Sequence, residues 1–128
     1  MRFLIPYLAT LAAFIVIDLV WLGLIAKAFY RRELGGLMAN PINVPAAIAF
    51  YLIFPIGLVI FAVYPALGSV TRAAQLGAMF GFFAYATYDL TNLATLKNWS
   101  AKLAFVDMAW GTVLGGVCAA AGAFASAP

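Results

Sequence analysis

Residues 85–95, YATYDLTNLAT, decide how the rest of the chain is read. The stretch sits inside a long apolar run, yet Tyr88, Asp89, Thr91, Asn92 and Thr95 fall within it. An aspartate at bilayer depth costs about 2.5–3.5 kcal/mol on insertion scales, so it is normally paired or functional. Two further aspartates, Asp18 and Asp107, interrupt two other apolar runs. A fold that brings the three together satisfies all of them at once.

Composition sets the solvent. Of 128 residues, 67% are apolar, with seven basic and four acidic side chains. A soluble domain carries charge on about a quarter of its residues, so the chain is expected to be an all-α membrane protein. At about 20 residues per crossing, it is a single domain of four transmembrane helices in a compact bundle. The expected spans are residues 3–26, 45–67, 73–95 and 101–123, with a basic interfacial loop over 27–44. The net charge of +3 is scattered, which suits topology signals and excludes a nucleic-acid footprint. Without histidine, and with Cys118 as the lone cysteine, no His-based triad, zinc site, haem ligand or internal disulfide is available. No metal and no cofactor is expected.

Each span has a legible face. Tyr7, Thr10, Phe14, Asp18 and Trp21 follow one another by three or four residues and share one side of the first helix. The loop 27–44 alternates Lys27, Arg31, Arg32 and Glu33 with Phe29, Tyr30 and Leu34, the pattern of a short helix lying in the interface. Gly35-Gly36 and Asn40-Pro41 end it. The second span has no charge and carries Pro55 mid-helix, which predicts a kink and a scaffold role. In the third, Gly77 and Gly81 form a small-residue packing groove on the face that continues to Tyr85 and Asp89. In the fourth, Gly111 and Gly115 stand on the stripe of Asp107.

Counted at 1.5 Å per residue, Asp18 lies about 12 Å before the end of its span. Asp89 lies about 9 Å before the end of its own, and Asp107 about 9 Å after its start. The antiparallel weave puts them in one half of the bilayer. Lys27, Arg31, Arg32, Lys97 and Lys102 flank that half, against Arg2 and Arg72 on the other side. The positive-inside rule makes it the cytoplasmic half and places both termini outside the cytoplasm. The expected polar pocket is Asp18, Trp21, Tyr85, Tyr88, Asp89, Asn92, Asp107 and Trp110, with Asp89 the most densely surrounded. Asp-x-x-Trp occurs twice, at Asp18 to Trp21 and at Asp107 to Trp110. Residues at i and i+3 share a face, so each indole can wall the pocket or donate to a carboxylate.

Two readings of these carboxylates stand. One has them glue helices through hydrogen bonds. The other has them line a cavity that titrates, binds a cation or meets a lipid headgroup. No known catalytic motif is present: Tyr88-Asp89 echoes half of an intramembrane aspartyl-protease signature, and the Gly-x-Gly-Asp half is missing. Asp18-x-x-Trp21, the basic loop, Tyr88-Asp-Leu-Thr-Asn92 and Asp107-x-x-Trp-Gly111 together resemble a bacterial family of small integral membrane proteins, domain of unknown function 2177. The resemblance implies a four-span protein of the bacterial inner membrane. It also implies a gene neighbourhood of lipid-modifying enzymes such as cyclopropane-fatty-acid synthases. The expected role is therefore accessory to membrane lipid handling or headgroup binding, with membrane lipids and a homo-oligomer or partner enzyme as partners. A small proton- or cation-coupled carrier and a carboxylate-dependent lipid-modifying enzyme are the alternatives.

Overall fold

The structure is a computed structural model that describes residues 3–38 and 41–126. Among them the fold is all-helical. Helix α1 (Leu4–Val20) runs into a π-helical turn at Trp21–Ile25. Helix α2 (Lys27–Leu34) follows at once and ends at Gly35, which takes φ +51°. Helix α3 (Val44–Leu58) continues through its own π-turn at Val59–Val63, α4 spans Val70–Thr95, and α5 spans Ala101–Ala125. Three of these segments, Leu4–Ile25, Val44–Val63 and Ala101–Ala125, are long and apolar enough to cross a membrane. Helix α4 is long enough at 26 residues, but its polar end keeps it below that apolarity.

Local chemistry sets the ends. The Asn43, Ser69 and Ser100 side chains accept from the backbone amides of Ala46, Arg72 and Leu103 and so cap α3, α4 and α5. Each satisfies an amide that the first helical turn leaves without a partner. Of the expected terminators after α2, Gly35-Gly36 forms a tight turn, while Asn40 lies outside the described residues.

The backbone of the bundle is the antiparallel pair α4 and α5. A β-carbon at Gly77 would strike the Gly115 carbonyl, one at Gly81 the Gly111 carbonyl, and one at Gly115 the Gly77 carbonyl. Between apolar helices in lipid there is no hydrophobic force to gain, so close backbone contact supplies the attraction. Helix α1 lies along the other side of α5, where Gly122 makes room for Thr10. Helix α3 completes the packing through Phe54, Leu58, Val59, Ala62 and Val63, all buried with Phe14 of α1 and Leu114 of α5.

Helix α2 is held back against the bundle. Ser100 Oγ donates to Glu33 Oε1 at 2.5 Å while capping α5 with the same oxygen. That donated bond, then Arg32 and Lys102, hold the Glu33 carboxyl below its ordinary range. A depressed carboxyl stabilises the docked form above the unfolded-state pKa and loses that contribution as pH falls through the folded value. Docking of α2 should therefore hold through neutral pH and weaken only in acid, below the ordinary carboxyl range. Hydrogen exchange at fixed pH 7 should show faster α2 amides in Glu33→Ala and little change in Glu33→Gln, which keeps the acceptor. Equal exchange in all three proteins would show that Glu33 does not hold the helix.

Candidate functional site

Asp18 of α1 is 4% exposed and accepts two hydrogen bonds. Trp110 Nε1 donates to its Oδ1 at 3.0 Å, and the Tyr51 hydroxyl of α3 donates to Oδ2. Asp107 of α5 accepts from the Tyr30 hydroxyl of α2 at 2.8 Å, and that hydroxyl accepts from Trp21 Nε1 at 3.2 Å. Burial, then the Asp107 carboxylate, push the Tyr30 phenol far above its ordinary range and keep it a donor. The two indoles stack face to face, centroids 4.3 Å apart and planes 8° from parallel.

The two Asp-x-x-Trp pairs are thus exchanged. The tryptophan of the α5 pair serves the α1 carboxylate, and the tryptophan of the α1 pair serves the α5 carboxylate through Tyr30. Antiparallel packing requires this. One turn beyond Asp18 in α1 is level with Asp107, and one turn beyond Asp107 in α5 is level with Asp18. An indole also reaches a facing helix more readily than a group on its own.

Between α1, α3, α4 and α5 lies a cavity of about 550 Å³. Asp18, Asp107, Tyr85, Tyr88 and Trp110 line it, joined by Ala46, Ala47, Phe50 and Tyr51 from the N-terminal half of α3. The Tyr85 ring lies where Gly111 has no side chain. It shares the cavity wall with Asp18, Asp107 and Tyr51. A carboxylate has about four lone-pair sites, so Asp107 in particular has acceptor capacity left over. No Lys or Arg among the described residues lines the cavity. Its polar side chains are carboxylates, phenols and the Trp110 indole, whose N–H is already given to Asp18, on an aromatic wall, a lining suited to a cation.

The remaining expected residues stand elsewhere. Trp21 is behind Trp110, outside the cavity wall. Tyr88 lines the cavity but is 54% exposed and meets Trp99 edge to face. Asn92 lies beside Tyr88, off the cavity. Asp89 is 0% exposed and off the cavity wall; its carboxyl lies beside that of Asp107 and has no other side-chain partner among the described residues. The threonines around it turn inward on their own helix. Thr87, Thr91 and Thr95 donate to the carbonyls of Phe83, Thr87 and Thr91, the i−4 bond that a mid-helix threonine makes when no other acceptor is near.

Two phenols were not expected in the site. Tyr30 comes from the segment read as a topology loop, and Tyr51 from the span read as scaffold. The available signal was chemical: a phenol in an apolar run needs an acceptor, and the aspartates are the charged acceptors at that depth.

Fold and site together define a small helical membrane protein with a carboxylate cavity set among its helices. The chain belongs to the family described as predicted membrane protein (DUF2177), whose model matches residues 3–124. No curated protein and no solved structure matches it.

Proposed function

We propose that the protein binds the ammonium end of a lipid headgroup in this cavity, as an accessory to membrane lipid handling. The observation that carries the reading is the lining: Asp18, Asp107 and Tyr85 on aromatic walls, with no basic residue among the described residues. An ammonium donates up to three hydrogen bonds and is attracted to ring faces, whereas a phosphate would meet the repulsion of two carboxylates with no cation to offset it. The basic residues Arg32 and Lys102 stand outside, beside Glu33, where a lipid phosphate can meet them.

This reading takes α4 as a fourth span. Its 26 residues reach about 39 Å, it packs antiparallel on α5, and its threonines Thr87, Thr91 and Thr95 are bonded within the helix. It also takes the protein as a bacterial inner-membrane protein with the site in the cytoplasmic half and both termini outside. Ala39 and Ala127, at two of the natural fusion points, lie outside the described residues. Fusions at Trp99 and Ser69 test the same weave: a periplasm-dependent reporter should be silent at Trp99 and active at Ser69, and the reverse pattern overturns the orientation.

Binding is tested in nanodiscs of mixed phosphatidylethanolamine and phosphatidylglycerol, with retained lipid read by native mass spectrometry. Phosphatidylethanolamine should be retained preferentially. A charge-assisted hydrogen bond contributes about 1.5–3 kcal/mol, so Asp107→Asn should cut that preference by about tenfold or more. Equal retention of the two lipids, or a preference indifferent to Asp107, rejects the reading.

A further inference from the structure

The carboxylate cavity has an apolar hollow beside it. Phe50 is shared with a second hollow of about 520 Å³, lined by Ile53, Phe54, Ile56, Gly57, Ile60 and Phe61 of α3 and its π-turn and by Phe80 of α4. This hollow has no polar lining, and Ile53, Ile60 and Phe61 stay 65%, 45% and 60% exposed. Helices α3 and α4 meet through Phe54, Phe61 and the π-turn against Phe80, with ring centroids 5.6 and 5.7 Å apart for the two phenylalanine pairs. Toward the N-terminus of α3 the space between them is the cavity itself.

Resting on the headgroup reading above, we propose that the hollow is the track of one acyl chain of the bound lipid, which enters sideways from the bilayer between α3 and α4. Two observations select this occupant. The apolar hollow shares Phe50 with the carboxylate cavity, so a ligand with a cationic head and an apolar tail can reach both. From Phe50 to Phe61 the track also runs about 16 Å along the helix, the scale of an extended chain segment and beyond the reach of a headgroup. A lipid tail gains little by leaving other tails for a protein groove. The track therefore directs the chain, while the carboxylates supply the selectivity.

The test places a fluorophore on Ile53→Cys and, separately, on Ile60→Cys, with a control on Val113→Cys, an exposed position of α5. Cys118, fully buried, stays unlabelled. Phosphatidylethanolamine or phosphatidylglycerol with identical brominated chains is added at a few per cent to an unbrominated phosphatidylglycerol bilayer. Both groove labels should be quenched several-fold more by the brominated phosphatidylethanolamine, the control equally by both lipids, and Asp107→Asn should abolish the difference. Native mass spectrometry of each labelled variant separates the two ideas. If phosphatidylethanolamine is retained selectively while the groove labels show no preference, the acyl track is wrong and the headgroup reading stands. If no variant retains it selectively, both fall.

Discussion

Gly81→Leu and Gly115→Leu should each abolish the folded state in a detergent melting assay. At both positions the space a side chain would need is occupied by a backbone carbonyl of the facing helix, Gly111 for one and Gly77 for the other. Overpacking commonly costs about 1–3 kcal/mol when side chains can yield, and here no side chain is available to yield. Two helices would have to separate along the contact that builds the bundle. Gly57→Leu is the control. A β-carbon there meets the outer edge of the Phe80 ring at 2.6 Å, and that ring can swing into the neighbouring hollow, so its melting temperature should fall far less. Similar melting of all three variants would reject the close α4–α5 contact.

The second large effect concerns Asp18, with Asp89 as its contrast. Asp18→Ala leaves the Trp110 indole and the Tyr51 hydroxyl without their acceptor. A buried orphaned donor costs about 1–3 kcal/mol, and these two are only half-buried, so the pair should cost about 2 kcal/mol, the lower end. Asp18→Asn should fold nearly normally. Its amide oxygen still accepts from the indole, which can only donate, and its amide nitrogen donates to the Tyr51 oxygen, which can reverse its role. It should nonetheless lose selective retention of phosphatidylethanolamine, because the charge is gone. Asp89→Ala leaves no indole or phenol without its acceptor, since the only side chain against that carboxyl among the described residues is Asp107, and should be tolerated better than Asp18→Ala. The order of melting temperatures decides the matter. If Asp89→Ala is the more damaging, the hydrogen-bond pattern assigned to these two residues is wrong. If Asp18→Asn folds and still selects the lipid, Asp18 only holds helices together and the selectivity rests on Asp107.

The contrast between the two aspartates also shows what was legible in the sequence. Apolar runs of membrane length, caps at Asn43, Ser69 and Ser100, and glycines at helical spacing are local features. A backbone in lipid must satisfy its own hydrogen bonds, so such features dictate helices without reference to any partner. Likewise Gly77, Gly81, Gly111 and Gly115 advertise their contact, because a missing side chain has few uses other than close approach. The aspartates could be counted and ranked by depth from sequence for the same reason: the rise per residue is fixed.

Which group bonds which carboxylate was a tertiary decision. Polar neighbours in sequence made Asp89 look best supplied, yet the threonines around it spend their hydroxyls on their own helix. The donors to Asp18 and Asp107 come from α5, α3 and α2. A side chain on a helix reaches outward to the neighbouring helix, and its neighbour is set by the register of two antiparallel surfaces, which no single helix encodes. Composition and periodicity alone determined a helical membrane protein with carboxylates inside it. The crossed Asp-x-x-Trp pairs, the recruitment of Tyr30 and Tyr51, and the cavity they enclose exist only because four helices and a folded-back fifth meet at one level.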